Sequence, residues 1–139
     1  MDSPLIAVTG TLLGVLVGAW LTYRFSIALA NDNAKRFAGI KLRESFGPEV
    51  AKLSHPEKLT ALESSHILER AFEKHQIAVN EFGFFLKGEE LETFNWAWRE
   101  YYGGPADDRP NFTQYANVGS EDIKEALARI EAILAFTKR

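Results

Sequence analysis

SSHILERAFEKHQIAVNEFGFFLKG, residues 64–88, spaces its apolar side chains by threes and fours. Ile67, Leu68, Ala71, Phe72, His75, Ala78, Val79, Phe82 and Leu86 share one face at that period, so the stretch predicts a helix that buries one side. Gly88 suits its end. EELETFNWAWREYYG, residues 89–103, repeats the pattern with Leu91, Phe94, Ala97, Trp98 and Tyr101, and carries acids in its first turn, where the helix dipole favours them. So little chain separates the two helices that they are expected to pair as an antiparallel hairpin.

Outward from this pair, SEDIKEALARIEAILAF (residues 120–136) reads as a third helix. Ser120 stands at its N-cap, and Ile123, Leu127, Ile130, Ile133, Leu134 and Phe136 form its apolar face. Between them, residues 103–119 are a long run of turn formers without regular period. Loops of that length are often functional or lack order. Phe112 and Tyr115 are the residues able to pin it to the core. Phe84 and Trp96 fall off the main stripes, and large aromatics left outside tend to mark interfaces. Phe84, Trp96, Phe112 and Tyr115 are therefore the candidate partner surface. No strand pattern competes and no internal repeat is visible. The fold class expected is all-α: one N-terminal transmembrane helix followed by a small helical bundle.

The anchor is read from GTLLGVLVG, residues 10–18. Ser3 to Tyr23 carries no ionisable side chain except the Tyr23 phenol. As a helix, Leu5 to Tyr23 is about 28 Å long at roughly 1.5 Å per residue, close to the hydrocarbon core of a bilayer. Trp20, Tyr23 and Arg24 fall at its far end, where amphipathic and cationic groups meet the headgroups. All sixteen Lys and Arg lie at or beyond Arg24, which sets the N-terminus outside and the body in the cytoplasm of a single-pass inner-membrane protein. The rival is a signal peptide cleaved after Ala30 at Ala28-Leu29-Ala30. Against it stand Asp2, the absence of a positive n-region and the length of the apolar run.

Gly10, Gly14 and Gly18 recur every four residues and form a groove without side chains along one face. A second helix can then approach to backbone contact, with Thr11 and Thr22 beside the face. The partners expected are membrane lipid and a transmembrane helix, from a second copy or from another membrane subunit.

RFSIALANDNAKRFAGIKLRESF (residues 24–46) follows as a basic helix, with Phe25, Leu29, Phe37 and Ile40 near one face. A solvated linker is preferred over a membrane-surface segment, because NDN interrupts the stripe. Gly47-Pro48 is expected to break this helix, with Pro48 opening a short turn through Lys52 and SHPEKLTALE starting another. The domains read as 1–23 anchor, 24–46 basic juxtamembrane helix and 47–139 cytoplasmic helical domain.

The net charge of −3 argues against nucleic acid as a partner. The absence of cysteine removes disulfides and thiolate chemistry. Glu63 and His66 have the Glu-x-x-His spacing of di-iron bundles, but such a site needs a second pair, and Phe72 stands three before His75. His66, Glu69 and Glu73 read as a solvated face. No phosphate loop, metalloprotease or hydrolase motif is present. No cofactor, metal, catalytic residue or small-molecule substrate is therefore expected.

KHQIAVNEFGFFL followed by FNWAWREYY resembles a group of small bacterial proteins with one N-terminal span and a helical cytoplasmic part. The matching residues are His75, Ala78, Val79, Glu81, Phe82, Trp98 and Tyr101. The likeness covers about the middle third of the body plus the anchor, and it implies architecture and no activity. The function expected is an interaction or scaffolding module held in the membrane and oligomerising through the glycine face. An accessory subunit of a larger membrane complex is the first alternative, and a membrane-tethered enzyme the second.

Overall fold

The computed structural model describes the backbone of residues 3–55, 57, 59, 61–104, 110–116 and 120–138, and their side chains apart from 3–13, 61, 62 and 120. It is all-helical, with no strand among the described residues: α1 (Ser3–Leu53), α2 (Ala61–Gly83), α3 (Gly88–Tyr102) and α4 (Ser120–Leu134). A 3-10 turn, Phe112–Tyr115, stands between α3 and α4, and another, Ala135–Lys138, extends α4. The chain divides into two compact units, Met1–Lys35 and Arg36–Arg139, and the basic segment 24–46 is shared between them.

In the first unit the described side chains from residue 14 to residue 34 are all exposed, the apolar ones included. Val15, Leu16, Val17, Trp20, Leu21, Tyr23, Phe25, Ile27 and Leu29 are all exposed. Thr22 Oγ1 donates to the Gly18 carbonyl and Ser26 Oγ to that of Thr22, each at 2.8 Å, so both hydroxyls are satisfied on their own helix. No helix among the described residues is long and apolar enough to cross a membrane. Residues 5–13 of the expected span have side chains outside the described set.

The second unit is a four-helix bundle. Lys41 meets Glu81 at 3.3 Å and Glu49 meets Lys74 at 2.9 Å, so α1 and α2 run antiparallel. Phe82 against Phe94 and Phe72 against Trp98, both with ring centroids 5.5 Å apart, make α2 and α3 the expected antiparallel hairpin. Phe94 against Phe136 (5.2 Å) and the Arg129 guanidinium on the Glu100 carbonyl turn α4 back along α3. Arg43, bonded to the Thr137 hydroxyl and carbonyl, joins α1 to the end of α4.

Two boundaries differ from expectation. The first helix does not break at Gly47-Pro48 but runs through it to Leu53. Pro48 costs it the N–H that would reach the Glu44 carbonyl. Gly47 eases the passage, because it lacks the Cβ that crowds a following proline ring in helical backbone. Burial of Leu42, Phe46 and Leu53 then holds the segment in place. The second helix ends at Gly83, five residues before Gly88. Leu86 N–H bonds to the Gly83 carbonyl at 3.0 Å and closes a turn, while Gly88 has φ +55°, a backbone that favours glycine, at the start of α3.

Candidate functional site

The most unusual group in the core is polar. His75 sits in the middle of the α2 apolar stripe and is fully buried. Its ring lies flat on Phe46 of α1, with centroids 3.8 Å apart and planes 15° from parallel. Nε2 lies 3.1 Å from the Ser45 carbonyl and 3.1 Å from Glu49 Oε2. Both of those are acceptors, so Nε2 carries the hydrogen. Nδ1, 2.9 Å from the Tyr101 hydroxyl, then accepts from it.

The local sequence explains each placement. Glu49 follows Ser45 by four and Phe46 by three, so all three reach the same side of α1. The Ser45 carbonyl is the one next to the carbonyl that Pro48 leaves without its helical donor, and it is the one His75 uses. Tyr101 comes from the buried face of α3. Its own carbonyl accepts from the Tyr115 hydroxyl at 2.7 Å and from Gln114 Nε2 at 3.1 Å, which ties the 3-10 turn to the same point.

Burial pushes the Glu49 carboxyl up, but hydrogen bonds from Lys74 and His75 outweigh it and hold the group below the usual carboxylate value. Lys74 Nζ touches both oxygens, at 2.9 and 3.2 Å. Burial pushes His75 down, and the neighbouring Glu49 offsets this only in part. Burial also raises the Tyr101 phenol, helped by Tyr115 and Glu49. At neutral pH the cluster is therefore a Glu49 anion, a neutral His75 and a neutral Tyr101, with Lys74 bonded to the Glu49 carboxylate. Tyrosine, histidine and carboxylate in line are the parts of a proton relay. The inner two are closed to solvent, however, so no substrate atom can reach them. What the cluster does is join α1, α2 and α3 at one point. Its outer edge differs: Glu49 lines an open cavity between α1 and α2.

The residues singled out in the sequence are scattered. Gly10 lies outside the described side chains. A Cβ built at Gly14 or Gly18 would meet nothing within 4 Å, so that part of the groove is open. Trp20 and Tyr23 are exposed, and the Arg24 guanidinium lies 5.6 Å from the Trp20 ring. Phe84 and Trp96 are exposed at 83% and 62%. Phe112 and Tyr115 are not available to a partner, because both are buried. Phe112 packs on Phe72 and Tyr101, and the Tyr115 hydroxyl is spent on the Tyr101 carbonyl. They pin the loop to the core, and residues 105–109 and 117–119 of that loop lie outside the description. His66 forms an exposed pair with Glu69 at 3.5 Å. No group of three or more His, Asp or Glu able to hold a metal occurs among the described residues. Sequence reasoning missed Glu49; the available signal was a carboxylate within the Ala38, Leu42, Phe46, Leu53 spacing, hidden by the expected break.

No family model, curated protein or solved structure matches the chain.

Proposed function

We propose that this is a single-pass inner-membrane protein whose helical body is a cytoplasmic interaction module. The observation that carries the reading is the bare apolar surface of α1: Val15, Leu16, Val17, Trp20, Leu21, Phe25, Ile27 and Leu29 point around the whole circumference and none is covered. Each such side chain gains about 1.5–3 kcal/mol on leaving water. A helix without a polar face satisfies that by entering lipid or a bundle of other helices. The uncharged stretch from Ser3 to Tyr23 has the length for the first choice. The open groove at Gly14 and Gly18 supports close approach of a second helix. On the body, Phe37, Ile77, Phe84 and Trp96 remain exposed and favour an interaction role. The resemblance of residues 74–86 and 94–102 to small single-span proteins implies the same layout.

The test is native mass measurement of the full chain after mild detergent extraction, together with alkaline carbonate washing of membranes. Retention in the carbonate pellet and a homodimer lost in Gly14→Ile support the reading. A mixed assembly lost in Gly14→Ile assigns the groove to a different subunit. Release by carbonate, or an oligomer indifferent to Gly14→Ile, overturns it.

A further inference from the structure

A cavity of about 320 Å³ opens between the end of α1 and the first half of α2, lined by Glu49, Lys52, Ile67, Arg70, Ala71 and Lys74. Three of the six are cations, in a chain that is acidic overall. The single anion among them is already matched, since Glu49 is gripped by Lys74 and by His75. Lys52 and Arg70 form no ion pair with any described residue. Arg70 Nε is turned back to the His66 carbonyl of its own helix, at 3.2 Å. Arg70 and Lys74 stand four apart on one face of α2, and Lys52 stands one turn beyond Glu49 on α1. Two unmatched charges therefore face one space across a helix pair. Like charges held together in this way repel, and an anion between them removes the repulsion.

We propose that this cavity binds a phosphate group. Arg70 supplies a planar fork suited to two phosphate oxygens, and Lys52 and Lys74 supply point charges on either side. Ile67 and Ala71 form an apolar wall, which lowers the local dielectric and strengthens each contact. The volume sits at the lower end of small-ligand pockets, with room for a diphosphate or a small phosphomonoester beyond one bare ion. The site is also wired to the core. A bound phosphate draws Lys74 off Glu49, and the carboxylate then turns its charge onto His75. Occupation of an outer cavity is thereby felt at the ring that joins three helices. The inference does not depend on whether the first helix spans a membrane.

The test uses the full chain in zwitterionic detergent micelles, with the histidines isotopically labelled. One arm adds inorganic pyrophosphate at constant ionic strength, and a second dopes the micelles with phosphatidic acid. Expected is a saturable shift of the His75 ring signals with a dissociation constant near or below about 1 mM, weakened about tenfold or more by Lys52→Gln and by Arg70→Gln. Lys124→Gln, on α4, is expected to leave it unchanged. Saturation by pyrophosphate identifies a free phosphate compound as ligand. A response confined to phosphatidic acid, sensitive to the same two substitutions, identifies a lipid headgroup. No saturable shift in either arm, or equal binding in all three variants, overturns the proposal. Both Lys52 and Arg70 are exposed, so melting curves of the variants without ligand are expected to match the parent.

Discussion

His75 and Phe46 lie face to face, ring centroids 3.8 Å apart, and the histidine has all its polar contacts at its edge: Tyr101 on one nitrogen, Ser45 and Glu49 on the other. The ring thus acts as an apolar slab to its neighbour and a two-ended connector in its own plane. Replacing it by phenylalanine keeps the slab and removes the connector. His75→Phe leaves the Tyr101 hydroxyl without an acceptor and a nearly buried Glu49 with Lys74 alone. The expected loss is about 3 kcal/mol. Tyr101→Phe removes one hydroxyl only and is expected to cost about 1 kcal/mol. Chemical denaturation of the full chain measures both. A His75→Phe loss no larger than that of Tyr101→Phe would show that the Glu49 end of the connector contributes nothing.

The same cluster sets an acid limit on stability. His75 is held below its usual value of 6.5 in the folded state, so below pH 6.5 the unfolded chain takes up a proton that the folded chain refuses. Stability therefore falls as pH drops from 6.5 towards the folded value, with a slope approaching about 1.4 kcal/mol per pH unit. Glu49 is also held below its usual 4.5, so its contribution is complete above that pH and is lost as pH falls through the folded value. Two successive losses are expected on acidification, that of His75 starting at a higher pH than that of Glu49. In His75→Gln the first is absent. Melting temperature against pH checks this, and an identical profile for the parent and His75→Gln refutes it.

Gly47 and Pro48 make a separable prediction. A glycine inside a helix costs about 0.5–1 kcal/mol relative to alanine. Nothing lies within 4 Å of where a Gly47 Cβ would stand, so space alone favours the substitution. The proline ring that follows opposes it. Gly47→Ala is therefore expected to bring no gain in the parent, and about 0.5–1 kcal/mol in the Pro48→Ala background. A double-mutant cycle reads the coupling directly. Additivity would mean that glycine is not what carries the helix through the proline.

That pair also explains what the sequence leaves unreadable. The hairpin of α2 and α3 and the returning α4 are legible because each carries an unbroken apolar stripe. Phe82, Trp98 and Ile130 stand where their period puts them. The core face of α1 follows the same rule through Ala38, Leu42, Phe46 and Leu53, yet Gly47-Pro48 interrupts it with the strongest local stop signal in the chain. Tertiary burial outweighs that signal, and local reasoning has no access to it. Glu49 is lost with it, since a carboxylate on a supposed turn carries no hint of a buried partner. His75, on the apolar stripe, reads from the sequence as a satisfied but only half-buried histidine; it is fully buried, and its partners come from α1 and α3, at separations that no spacing rule reaches.

Phe84 and Phe112 divide the aromatic surplus of the body into two kinds. Phe112 is 3% exposed and packs its ring against Phe72 and Tyr101, with centroids at 5.9 and 5.4 Å. Phe84 is 83% exposed and touches only its neighbour Phe85 among the described rings. Truncating Phe112 to alanine opens a void under the 3-10 turn and loosens the seat of Tyr115, whose phenol is itself pushed up to about 12 by burial. Phe112→Ala is expected to cost about 3–4 kcal/mol, whereas Phe84→Ser stays within about 0.5 kcal/mol of the parent. The second substitution is also expected to raise solubility of the isolated full chain in detergent-poor buffer, because it removes apolar surface from water. Denaturation curves and light scattering on the two variants decide the matter. A large loss in Phe84→Ser would place that ring in a core contact, and a small one in Phe112→Ala would detach the loop from the bundle.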